Sequence, residues 1–288
     1  MIYYYIPDFF WHYHVNLKLL ELMRDEPKMF YDDFKIGAVF GNFPNCVWNG
    51  GRAFFGRHVD VTEMKEISKV FNDFDVPLRL TMTNLMVKDT DIYDRYSNYI
   101  MQNLNNGFNQ VIVSSPILEK YIREKYPEYP VVRSVQAAEE IFYDDSDKYI
   151  MSIIKRRKNN DFEFLKSIKN KDKIEFVSNE SCFEDCNMSI HYRHTSMRQL
   201  YEKEKEYVCP HYKPIGKDQT IFCTSASTIS RELIKKIYEP MGFSNFKISG
   251  RHLNSGALVG NYVHYMVRPE WKDDFYTKMY PAALADGR

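Results

Sequence analysis

The stretch NQVIVSSPILEKYIREKYPEYPVVRSVQ, residues 109–136, contains one complete unit of the fold. Val111-Ile112-Val113 is a short β-branched apolar run that stops at two serines, as a buried strand does. Ser115-Pro116 then opens a stretch with helical spacing, with Pro at the first turn where its missing N–H costs nothing. After the turn around Pro127, Val131-Val132-Arg133 begins a second apolar strand ending at Gln136. Strand, helix, strand at this length places the two strands parallel with the helix across them.

The same alternation extends in both directions. Upstream lie a strand at 2–6 (IYYYI), a helix at 15–27 and a second strand region formed by KIGAVFG (35–41) and CVWNGG (46–51). Residues 60–75 follow as an amphipathic helix with an Asp60 N-cap. PLRLTMTN (77–84) reads as a strand and 89–107 as a helix closed by Gly107. Downstream, KYIMSIIKR (148–156), KIEFVSN (173–179) and FSNFKISG (243–250) read as strands. Helices are expected at 160–170 and 227–242, and a long irregular insertion at about 180–224. Eight strand–helix units in one chain of 288 residues predict an α/β fold, a single-domain (β/α)8 TIM-type barrel over 1–288 with the insertion after its seventh strand. A doubly wound open sheet is the alternative, but no glycine-rich nucleotide fingerprint follows the first strand.

Active sites of such barrels lie at the C-terminal ends of the strands. Polar residues that close the runs are therefore candidates: Arg52, Asn84, Ser115, Gln136, Arg157, Asn179 and Arg251. Turn chemistry accounts for any one Asn or Ser; their shared placement at one end singles them out. Lys247 and Arg251 lie four apart on the last strand and the turn after it. With Arg52 they suit an anionic group, because Arg presents a planar fork to carboxylate or phosphate.

Formal net charge is zero, which argues against nucleic-acid binding by bulk electrostatics while allowing a local basic groove. Aromatic residues make up 16% of the chain and are spread along it, as core filling requires. No apolar run has the ~18–20 residues of a membrane helix, and the first residues lack a basic n-region and cleavage site. These features lead us to expect a cytoplasmic protein without membrane contact, whose cysteines are thiols or ligands rather than a disulfide framework.

Cys46 reads as core. Cys182, Cys186, Cys209 and Cys223 all fall in the insertion, with three, twenty-two and thirteen residues between successive members. Four thiols suit an iron–sulfur cluster or a structural zinc, or are four unconnected cysteines, and the spacing alone does not choose between these. A structureless insertion of about forty residues is uncommon unless it is functional, and a metal centre would order it. His191 and His194, three apart, could complete a metal site, contact substrate or stand on a solvated surface; His211 is a third possibility. Glu180, Glu184 and Asp185 beside the cysteines read as caps.

Read in order, several segments resemble the collagenase-like U32 peptidase family. GAVFGNFPNCVWNGGRAFFG is similar to a family strand followed by Gly-Gly, a basic residue and an aromatic. VPLRLTMTNLMV is similar to its next strand, NQVIVSSPILEKYIREKYPEYPVVRSVQA to its strand–helix–strand run ending in Ser-x-Gln, and FSNFKISGRHLNS to its Phe-Lys-Ile-x-Gly-Arg signature. KIEFVSNESCFEDC and HYRH resemble a shorter, iron–sulfur branch. The resemblance covers roughly residues 36–260 and implies a barrel carrying a [4Fe–4S] cluster on Cys182, Cys186, Cys209 and Cys223. It implies an oxygen-independent hydroxylation or related redox modification of an RNA base or a small aromatic or anionic substrate, served by an electron-donor or other partner protein. Arg52, Lys247 and Arg251 would bind an anionic group, and Asn84, Gln136 and Asn179 would orient the substrate. A metal-dependent peptidase or hydrolase is a second expectation, although His-Glu-x-x-His and Gly-x-Ser-x-Gly elements are absent. A non-enzymatic barrel with structural zinc and a binding partner is the third.

Overall fold

The computed structural model describes residues 1–137, 148–179, 188–201, 207–208 and 228–287. Eight parallel strands close into a barrel in chain order, with the last pairing to the first. They are β1 (Ile2–Pro7), β2 (Phe34–Gly41), β3 (Leu78–Met82), β4 (Gln110–Val113), β5 (Val131–Arg133), β6 (Met151–Ile153), β7 (Ile174–Val177) and β8 (Asn245–Lys247). The barrel expected from the sequence is present.

Helices cover the outside: α1 (Tyr13–Asp25), α2 (Val61–Asp73), α3 (Arg95–Leu104), α4 (Pro116–Lys125), α5 (Phe162–Ser167), α6 (Met188–Tyr201), α7 (Arg231–Leu233), α8 (Ser255–Met266) and α9 (Lys272–Ala285). Their starts follow local chemistry. Asp60 accepts from the N–H groups of Thr62 and Glu63, and Asp94 from that of Ser97, each satisfying donors that the first turn leaves unpaired. Ser115, a candidate site residue by position, accepts from Leu118 N–H and so caps α4. α9 packs on α1 and α8, and Asp286 beyond its end accepts from the first-turn N–H groups of His14 and Val15.

Three local expectations are corrected. The second strand stops at Gly41, and CVWNGG is a loop in which Cys46 is nevertheless buried. The insertion is not irregular throughout, because α6 occupies 188–201. The expected helix at 227–242 begins only at Arg231 and passes after three residues into a π-helical turn, Ile234–Tyr238.

Each strand sends alternate side chains to opposite sides. Outward residues such as Tyr4, Ile6, Val39, Leu80, Val111, Phe176 and Phe246 join the layer between strands and helices. The lumen is filled by Tyr5, Ala38, Phe40, Ile112, Val132, Met151, Ile153 and Val177. Polar groups stand among them. Arg79 pairs with Glu175 across the lumen, both fully buried. Arg79 also donates from Nε to Gln110 Oε1 (2.7 Å), and its guanidinium lies 4.0 Å from the centre of the Tyr5 ring.

Candidate functional site

Strand ends at the mouth of the barrel bring distant parts of the chain together. After β2 the loop carries Asn49, Gly50, Gly51 and Arg52. A β-carbon on Gly50 would stand 2.2 Å from the Thr83 carbonyl oxygen, so the loop can lie against the end of β3 only with glycine there. Gly51 has φ +77°, in the left-handed region.

Arg251, past β8, reaches across to this loop. It donates from Nη1 to Asn49 Oδ1 and Thr81 Oγ1, both at 3.1 Å, and from Nη2 to the Gly50 carbonyl at 2.9 Å. Thr81 in turn donates to the Gly41 carbonyl or Asn49 Oδ1, at 3.1 and 2.8 Å. The guanidinium is thus held by three neighbours and keeps donors to spare. The position a β-carbon would take on Gly51 lies 3.0 Å from Arg251 Nη2, 3.4 Å from Gln136 Nε2 and 3.6 Å from Tyr192 Cε1. Two N–H-bearing side chains and an aromatic edge therefore pack closely around Gly51, where a side chain would crowd them. Gln136 Oε1 is buried without a hydrogen-bond partner among the described residues, leaving an acceptor for a hydroxyl or amine.

Helix α6 forms one wall. Gln199 donates to the carbonyls of Cys46 (3.1 Å) and Phe54 (3.3 Å) and accepts from Phe54 N–H (2.6 Å), which fixes α6 to the β2 loop. Leu85 N–H donates to Ser196 Oγ, and Asn84 donates to the Ser196 carbonyl. On the same helix, His191 Nε2 lies 3.3 Å from Arg52 Nη1, and its ring stacks on Tyr207 at 5.1 Å. His194 stacks on Tyr207 at 5.3 Å.

Electrostatics distinguish this end of the barrel. Lys247, the last residue of β8, lies with its Nζ 3.7 Å from the centre of the Phe40 ring. Burial, together with the charges of Arg79 and Arg251 against that of Glu175, lowers its pKa to about 7. Arg251 is lowered to about 10, mainly by burial and further by the charge of Arg52, while Asp8 opposes the shift. Surrounding protein, with Arg52, Arg251 and His191, lowers His252 to about 3. Lys247 and Arg251 are part-buried and His252 is exposed. Asp8, with φ 70° at the end of β1, accepts from Phe10 and Trp11 N–H, and burial raises its pKa. Among the described residues, cations outnumber carboxylates at this end of the barrel, and Glu175 is engaged by Arg79. The described groups therefore favour an anion.

Of the residues singled out by sequence, Arg52, Gln136, Arg251 and His191 gather in this recess, and Lys247 lies in the lumen at the same end. Asn84 and Asn179 hold loop structure instead. Asn84 donates to the carbonyls of Val47 and Ser196 and accepts from Met86 N–H. Asn179 donates to the Ser249 carbonyl and accepts from Ser249 N–H, joining the ends of β7 and β8. Arg157 is exposed. Sequence reading missed Asp8, Asn49, Thr81, Tyr192 and His252. Only the Gly-Gly after Asn49 signalled part of this group. Cys182, Cys186, Cys209, Cys223, His211, Glu180, Glu184 and Asp185 lie outside the described residues.

No family model and no curated protein matches the chain. Among solved structures, it is similar to a U32 peptidase, Mk0906, at 14% identity over 86% of this chain and 92% of the other, with a TM-score of 0.48. It is also similar to a thiamine phosphate pyrophosphorylase from Pyrococcus furiosus, at 11% identity over 99% and 96%, with a TM-score of 0.32. The barrel assignment itself rests on the closed strand pairing.

Proposed function

We propose that the chain is an enzyme whose barrel mouth binds a small anionic substrate. The observation that carries this reading is the clustering of Arg251 and Gln136 around Gly51, with Arg52 close enough to act on the charge of Arg251. Arg251 supplies the fork, its neighbours hold the fork at a fixed angle, and the lowered pKa values of Lys247 and Arg251 mark cations that gain from an anion's arrival.

Titration calorimetry with inorganic phosphate tests this. Wild type should bind, with weaker binding as ionic strength rises. Arg251→Met should weaken affinity by about tenfold or more, since one charge-assisted contact is worth roughly 1.5–3 kcal/mol. Arg52→Gln, a change at a less embedded side chain, should weaken it in the same direction. No phosphate binding by folded wild-type protein would overturn the reading.

At finer grain, the reading is a redox modification in the manner of the U32-like iron–sulfur proteins, with a [4Fe–4S] cluster on Cys182, Cys186, Cys209 and Cys223. The support is the donor set, four thiols distributed on both sides of α6 in the sequence, where α6 is the helix that brings His191 and Tyr192 to the mouth. Such a cluster would supply electron transfer near an anion held by Arg251. Anaerobic purification with iron, sulfide and zinc analysis decides it. Iron and sulfide near four per chain support the cluster, one zinc assigns the thiols a structural role, and no metal removes both.

A further inference from the structure

The mouth contains an amine as well as cations. Lys247 ends β8 at the opening of the lumen. Its register partners are Tyr5 on β1 and Val177 on β7, and its Nζ lies against the face of Phe40 on β2. Among the described residues its Nζ makes no hydrogen bond and no ion pair. The carboxylate that could have neutralised it, Glu175, is instead paired with Arg79 on β3. Lysines kept in place for charge balance normally find a carboxylate; this one has an aromatic face, apolar neighbours and other cations.

We propose that Lys247 is a covalent nucleophile, forming an imine with the carbonyl carbon of a substrate that also bears a carboxylate or phosphate held at Arg251. The substrate class is accordingly a 2-oxo acid or an anionic aldehyde. The inference rests on the anion-binding reading of the mouth and is independent of any cluster on the cysteines.

The step balances without an outside reductant or oxidant. The neutral Nζ donates its lone pair to the carbonyl carbon, and the C=O π pair moves to oxygen. A proton passes from nitrogen to oxygen to give the carbinolamine. Loss of water leaves a C=N bond, which becomes an iminium on protonation. The step needs unprotonated amine near neutral pH. Burial, Arg79 and Arg251 all disfavour the charged form, with Glu175 the opposing charge. At pH 7 a lysine near 7 has on the order of a thousandfold more free amine than one at the ordinary ~10.4.

Reductive trapping on the full-length protein is the test. The protein is incubated at pH 7 with glyoxylate and cyanoborohydride, and modification at each lysine is read by peptide mass spectrometry. Acetaldehyde serves as a neutral probe in parallel. Lys247 should be labelled at least about tenfold faster than surface lysines, with a midpoint near pH 7. Glyoxylate should be preferred over acetaldehyde at this site, and phosphate should compete with it. Lys247→Arg, which keeps the charge, should lose the label while retaining the fold by circular dichroism. If neither aldehyde labels Lys247 selectively in a protein that binds phosphate, the imine role is overturned and the anion site stands. If acetaldehyde labels it selectively and glyoxylate does not, the anionic substrate class is overturned, while phosphate binding separately decides the anion reading of the mouth.

Discussion

Gly50 shows how one residue decides the geometry of the mouth. Its α-carbon packs so closely on the end of β3 that a β-carbon would meet backbone atoms of Thr83 and Asn84 at 2.2–2.7 Å. Backbone cannot swing aside as a flexible side chain can. Gly50→Ala should lower stability by about 1–3 kcal/mol, measured by denaturant unfolding, and weaken phosphate binding because Arg251 hydrogen-bonds the Gly50 carbonyl. In the lumen, Glu175→Gln leaves Arg79 buried opposite a neutral amide. The expected cost is about 3–5 kcal/mol, the scale for breaking a buried pair from one side. Replacing both partners, as in Arg79→Met with Glu175→Gln, should cost less than the sum of the single changes in a double-mutant cycle.

At the scale of elements, α6 carries more than its sequence announced. The run from 180 to 224 reads as loop because its polar and apolar residues show no sustained period. Helix α6 is weakly amphipathic and depends on tertiary contacts, which is why periodicity overlooked it. Gln199 is the main tie, buried and bonded to two carbonyls and an N–H of the β2 loop. Gln199→Leu should leave the barrel intact and release α6. Hydrogen exchange over 188–201 should quicken while exchange in the β-strands is unchanged, and phosphate affinity should fall as Tyr192 and His191 lose their place. The capped helices α2 and α4 behave in the opposite way. Asp60 and Ser115 begin them by purely local bonds, and both starts were legible in the sequence.

At the scale of the whole molecule, the cations of the mouth link stability to pH. The folded pKa of Lys247 is about 7, below the unfolded value of ~10.4. Between those values the unfolded chain binds more protons, so stability rises with pH through the window and the penalty is fully present below pH 7. Thermal unfolding should therefore show a rise in Tm from about pH 7 to 9, which Lys247→Met flattens. Phosphate should stabilise wild type more at pH 6.5 than at pH 9, because an anion favours the charged amine. A Tm that does not change with pH over this range in wild type would contradict the burial of a free lysine in the lumen.

The sequence by itself determined the barrel. Strand runs are short and β-branched, helices are capped and periodic, and these signals are local, so they survive in one dimension. It also marked Arg52, Gln136 and Arg251, because residues that end strands share one face of any parallel barrel. The tertiary structure decided which of the strand-end residues lie together. Asn84 and Asn179 have the same sequence signal as Gln136, yet backbone partners only folding could supply bind them into the loops. Arg251 meets Asn49, some two hundred residues earlier, through barrel closure, and among the described residues Lys247 has no carboxylate partner, Glu175 being paired with Arg79. Pairing of that kind depends on distances across the lumen, and no spacing along the chain encodes them.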